Sequence, residues 1–131
     1  LATDISEKVL EIAHKGEYSN EKISALPANW RLRYFKKVNE GKSILIDKIR
    51  NDVIYRKFNL VQDTFPFKRK FHMIFCRNVM IYFDEQARKK LIQKFYNITE
   101  HGGYLFIGHS ESLNREGIKY KYIMPAVYRK E

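Results

Sequence analysis

One cysteine, Cys76, excludes an internal disulfide and any zinc site built on cysteines. Glycine is scarce as well: Gly16, Gly41, Gly102, Gly103, Gly108 and Gly117 form no G-x-G-x-x-G turn anywhere in the chain. No apolar run approaches the length needed to cross a bilayer and no signal peptide is present, so the chain reads as cytosolic without membrane insertion. The histidines, His14, His72, His101 and His109, show neither H-x-x-x-H nor Cys-His spacing, so no metal is expected. Internal repeats, low-complexity segments and interdomain linkers are lacking too. Acidic residues are in the minority, 15 against 25 Lys and Arg, for a net charge of +10. That balance favours an acidic partner, whether nucleic acid, membrane surface or protein. The cations are nevertheless spread along the chain, in small groups at Arg31/Arg33/Lys36/Lys37, Lys68–Lys70 and Arg88–Lys90, as on a solvated face.

What is present is apolar substance. At 131 residues, with 44% hydrophobic and 15% aromatic content, the chain is expected to form one domain with a proper core. Its organising stretch is Phe71 to Phe83, FHMIFCRNVMIYF. Phe71 to Cys76 is short, unalternated and rich in aromatic and branched side chains, which suits a parallel strand buried on both faces. Arg77 and Asn78 break the run where such a strand ends. In open α/β sheets, ligands sit just outside the carboxyl ends of the strands, so these two are site candidates; a plain solvated turn is the competing reading. Cys76, inside the strand, reads as a small core residue rather than a nucleophile.

The remaining pattern alternates strands and helices. Leu1 to Asp4 reads as the end of a strand closing on a carboxylate. Ser6 is placed to cap a helix carrying Ile5, Val9, Ile12 and Ala13 at helical spacing, with Gly16 as its stop. Two short helical pieces follow within Ser19–Phe35, separated by Pro27, with Asn29 as a candidate cap. Phe35–Val38 and Ser43–Ile49, joined through Asn39-Glu40-Gly41-Lys42, predict a hairpin, and Asn51-Asp52 a turn. Ile54, Phe58 and Leu60 alternate with Arg56 through a strand ending near Asn59. Asp84 caps a helix whose buried stripe is Ala87, Leu91, Phe95 and Ile98, with Ile92 beside it. His101-Gly102-Gly103 ends that helix, Tyr104–Ile107 is a second buried strand, and Gly108–Ser112 a polar loop. Tyr120, Tyr122 and Met124 alternate before Pro125, and Ala126–Tyr128 closes an antiparallel pair.

Two of these stretches, CRNVMIYFD (Cys76–Asp84) and GGYLFIGHSESL (Gly102–Leu113), resemble the signature of the CheR-type chemotaxis receptor methyltransferases. LATDI at Leu1–Ile5 and FNL at Phe58–Leu60 follow the same order and spacing, so the resemblance covers essentially the whole chain. It implies a Rossmann-like, class I S-adenosylmethionine-dependent methyltransferase fold. Within residues 1–131, a small antiparallel β-subdomain is expected at about 35–55, to which some family members dock a receptor tail by strand addition. A complete domain has a first strand and Gly-rich turn ahead of the strand ending at Asp4. The chain is therefore expected to be part of a longer methyltransferase, inactive alone and prone to self-association at unpaired strand edges.

The resemblance also implies residue roles. Asp4, otherwise a cap or turn residue, becomes a ribose ligand of the cofactor. Asn59 lies at the adenine edge and Leu60 against its face. Arg77 and Asn78 run along the cofactor's amino-acid portion and sulfonium, and Tyr82 offers its hydroxyl to the incoming glutamate. The implied reaction esterifies receptor glutamates, leaving S-adenosylhomocysteine, and needs no strong base because a carboxylate is already ionised at neutral pH. The partners implied are methyl-accepting chemotaxis receptors, not nucleic acid. A nucleic-acid methyltransferase on the same fold is the alternative that the +10 charge suggests, but Asn78–Tyr82 is not the N-P-P-Y or D-P-P-Y loop used on flipped bases. A non-catalytic binding module is the third reading. His109 beside Ser110 lacks a G-x-S-x-G elbow and gives no hydrolase.

Overall fold

The computed structural model describes residues 1–61, 64–113 and 118–131. They divide into two units, Leu1–Asn59 and Leu60–Glu131.

In the first unit, β1 (Ala2–Asp4) pairs in parallel with β5 (Tyr55–Lys57), Asp4 opposite Lys57. Ser6 caps α1 (Glu7–Lys15) as its sequence position predicts, its hydroxyl accepting from the Val9 N–H. Gly16 ends the helix at φ +65°, a left-handed conformation that costs a side-chain-bearing residue energy, and its N–H closes on Ile12 and Ala13. Between the parallel strands lie β2 (Glu17–Ser19), α2 (Asn20–Ile23), α3 (Ala28–Tyr34), β3 (Phe35–Lys37), β4 (Lys42–Leu45) and α4 (Asp47–Asp52). The expected hairpin is β3–β4, its turn held by Asn39 Oδ1 accepting from the Gly41 N–H at 2.9 Å. A third strand, β2, joins the far side of β4, and Asn20 ties the turn down through Glu40, Gly41 and Ser43.

Two local expectations change. Residues 47–52 are helical rather than a strand continuation and turn, because the ladder runs out: Leu45 faces Phe35, the first residue of β3, and the chain before it is already α3. The cap of α3 is Pro27, while Asn29 lies inside the first turn; proline's fixed φ suits the helix entry without a side-chain bond.

The second unit is built on one sheet, β6 (Phe71–Cys76), β7 (Thr99–Ile107), β9 (Val127–Arg129) and β8 (Lys121–Met124), in that order. β6 and β7 run parallel; the last two close the sheet antiparallel. The connection between β6 and β7 contains α5 (Glu85–Ile98), capped by Asp84 Oδ1 on the Ala87 N–H at 2.7 Å. Leu91, Ile92 and Phe95 bury the expected stripe against Cys76, Leu105, Ile107 and Tyr128.

The organising strand is not buried on both faces. Ile74 and Cys76 belong to the core side, whereas Met73 and Phe75 are 58% and 67% exposed. The core with α5 lies on the Cys76 face, whereas Phe75 stacks on Phe106 at 4.6 Å on the other; among the described residues β6 is also an edge of its sheet, bonded to β7. The helix end also shifts. α5 stops at Ile98 and β7 starts at once, so His101–Gly103 form a bulge within the strand, between Phe71 opposite Thr99 and Met73 opposite Tyr104. Gly102 has φ +78°, and a Cβ on Gly103 would lie 2.9 Å from the carbonyl oxygens of Glu100 and His72. Lys130 then seals the C-terminus of α5, its ammonium donating to the Tyr96 and Thr99 carbonyls at 2.8 Å each.

Candidate functional site

In each unit the candidate residues gather at the carboxyl ends of a parallel strand pair. In the first, Asp4 ends β1, and the Phe58 N–H donates to its carbonyl at 3.0 Å just beyond the end of β5. Asn59 therefore follows directly from the strand end beside Asp4. The Asp4 side chain is half-buried, and Oδ1 accepts from the Ser6 N–H at 2.8 Å, the turn-forming role its sequence position suggests on its own. Behind it, Lys57 pairs with Glu7 in the first turn of α1 at 2.8 Å, and that bond and charge hold the exposed Glu7 carboxyl below its usual range.

The second unit holds the more organised array. β6 ends at Cys76 opposite Ile107 of β7, so the loops from Arg77 and from Gly108 leave the same edge of the sheet. Arg77 is exposed, and among the described residues no ion pair engages it. Asn78 takes φ +60°, uncommon for a residue with a side chain but tolerated best by Asn and Asp. A 3₁₀ turn, Met80–Tyr82, buries Met80 completely and leaves Tyr82 81% exposed. Tyr82 thus projects from the loop rather than packing as another core aromatic. Leu60 is half-buried and packs on the second unit's core, so part of its apolar surface is already in use.

One residue central to this geometry carries no role in the sequence-based reading. Glu111, buried among the loops, accepts from the Gly108 N–H at 2.6 Å, the Asn78 N–H at 3.2 Å and the Met80 N–H at 2.9 Å. The carboxylate closes its own loop and fastens the neighbouring one. Gly108 is its necessary companion, since a Cβ there would come within 2.7 Å of Glu111 Oε2 and 2.8 Å of Asn78 Oδ1. The available signal was an acid inside the otherwise uncharged Gly108–Leu113 stretch. Cys76 lies close by, and its thiol is pushed up to about 12, first by burial and second by the charge of Glu111. That agrees with a core residue and not with a thiolate nucleophile.

In each unit a parallel strand pair feeds polar residues at its carboxyl end, and in the first a strand ends on an acid before a capped helix, a pattern of α/β domains of the nucleotide-cofactor-binding class. The chain belongs to the CheR methyltransferase family: the model of that family's SAM binding domain matches residues 1–128. It is similar to the chemotaxis protein methyltransferase of Borreliella burgdorferi, 43% identical over 130 residues that cover 99% of this chain and 46% of the relative. A probable chemotaxis protein methyltransferase of Rhizobium etli is 40% identical over 119 residues, covering 88% and 44%. The chemotaxis protein methyltransferase of Escherichia coli is 34% identical over 116 residues, covering 86% and 41%. The chain thus spans less than half the length of the curated relatives it matches.

Proposed function

We propose that the full-length protein transfers a methyl group from S-adenosylmethionine to glutamate side chains of chemotaxis receptors. The family match over residues 1–128 carries this reading. When bound, the cofactor would supply a methyl group activated by its sulfonium charge, the sulfur keeping the electron pair as the methyl passes to a glutamate oxygen. Taken one by one, the side-chain chemistries suit such a cofactor. Asp4 has one oxygen engaged by its own turn and a second to accept from ribose hydroxyls. Asn59 would meet the adenine edge and Leu60 its face, while Arg77 and Asn78 run along the amino-acid portion. Arg77, exposed and without an ion pair among the described residues, is suited to an anionic group, and the Tyr82 hydroxyl to orienting the substrate carboxylate. Alignment and exclusion of water are the work required, because the two reactant charges vanish together in the transition state.

Three finer proposals rest on the same membership. The free edge of β6 takes a further strand, completing a class I methyltransferase sheet. The β2–β4–β3 sheet, whose edge strands are β2 and β3, docks a receptor tail by strand addition. The site of action is the cytoplasm. The deciding experiment incubates the full-length protein with labelled donor and either receptor or RNA. Label in base-labile esters on receptor glutamates is the expected result; label in RNA alone would overturn the reading. In titration calorimetry Asp4→Ala should weaken donor binding by about 1.5–3 kcal/mol, the scale of a hydrogen bond to a charged group. Unchanged affinity would remove Asp4 from the cofactor.

A further inference from the structure

We infer that Glu111 is a positioning residue for methyl transfer: its buried carboxylate locks the Arg77–Tyr82 loop to the Gly108 loop and so sets the presentation of Asn78 and Tyr82. The inference rests on the methyltransferase reading for its kinetic consequence, but the clamp itself is a matter of geometry. Glu111 gathers three backbone N–H groups from two loops, Oε2 taking Gly108 and Asn78 and Oε1 taking Met80. Two of these donors lie more than thirty positions away in sequence, so the bonds join loops that the chain itself keeps apart.

Each donor sits where it matters. Asn78 holds a left-handed backbone, which needs external support to persist. Met80 opens the 3₁₀ turn that carries Tyr82 outward, and its N–H is the inner anchor of that turn. Gly108 is the first residue past β7, and its lack of a side chain lets the carboxylate and Asn78 approach together. A carboxylate is required because it accepts at both oxygens. Glutamine has one acceptor oxygen, and its NH₂ group would face an N–H on the other side. Aspartate is one methylene too short to keep the same reach.

This asymmetry gives a graded test in the full-length protein. In Glu111→Gln the less costly orientation keeps the amide oxygen on Gly108 and Asn78 and turns the NH₂ against Met80. Amide hydrogen exchange should then quicken at Met80 while Gly108 stays protected. The transfer kcat should fall about tenfold to a hundredfold, the scale of one lost charge-assisted hydrogen bond. Donor affinity by calorimetry should stay within about twofold, because the Asn78 side of the clamp survives. Gly108→Ala reaches the same clamp without removing the charge, since its Cβ would displace Oε2; it should loosen all three amides and lower both kcat and donor affinity. Wild-type kcat in both folded variants, or unchanged exchange at Met80, overturns the inference. So does a kcat loss that merely tracks the folded fraction. A wild-type protein that transfers no methyl group sinks the functional reading instead, and amide exchange still decides whether the clamp exists.

Discussion

Tyr82 stands almost free of the protein, 81% exposed at the end of a turn whose first residue, Met80, is wholly buried. The pairing of a fixed base and a projecting hydroxyl suits a group that meets a substrate. Tyr82→Phe in the full-length protein should lower turnover while leaving donor affinity nearly intact, since the hydroxyl would act only toward the transition state. Steady-state kinetics beside calorimetry checks this; wild-type turnover, or a defect confined to donor binding, removes the assignment. Cys76 and Tyr120 give a different residue-scale expectation. Burial raises the Cys76 thiol from 9.0 to about 12, with Glu111's charge adding to it. Burial likewise raises Tyr120 from 10.0 to about 12, opposed by its hydrogen bond with Thr99. Both groups hold their protons more tightly when folded, so the stability tied to them is complete below the unfolded values and is lost as pH climbs toward 12. Chemical denaturation should show the stability advantage of wild type over Cys76→Ala narrowing across that alkaline window. A constant difference would mean that the thiol is not buried as placed.

Helix α5 is the element that fixes the second unit, because it supplies both the core stripe and the link between the parallel strands. Its start depends on one side chain: Asp84 satisfies the Ala87 N–H, and the first turn also gains from Glu85, which pairs with Lys89. Asp84→Ala should cost about 1 kcal/mol, the usual worth of an N-cap. Leu91, 3% exposed, should cost about 2–5 kcal/mol on truncation to alanine, because it leaves a cavity against the sheet. Urea unfolding of the two variants measures both; an equal loss would contradict the separation of capping from core packing. The exposed Lys89–Glu85 pair adds little to either figure, as solvent screens it.

At the scale of the whole molecule, the exposed edge of β6 is the governing feature. Among the described residues no strand pairs with it on the side away from β7, beside the exposed Met73 and Phe75, and such apolar edges invite pairing with another strand. Strand pairing at that edge should let the 131-residue chain associate. Sedimentation velocity tests this; a monodisperse monomer of these residues would overturn it.

By itself the sequence determined what short-range chemistry determines. Ser6 and Asp84 cap their helices because each bonds an N–H three residues on, and Gly16 stops α1 because it alone enters the left-handed region without strain. The 3.6-residue stripe of Leu91, Ile92 and Phe95 and the apolar run Phe71–Cys76 were legible for the same reason, as were the motifs that mark the family. Tertiary structure decided the rest. Whether Met73 and Phe75 are covered depends on what packs on their face of the sheet, and the bulge at His101–Gly103 depends on how β7 registers against β6. The role of Glu111 was hidden most completely. A carboxylate binding N–H groups 33 and 31 positions away leaves no local pattern, since only the folded sheet brings those loops to the same edge.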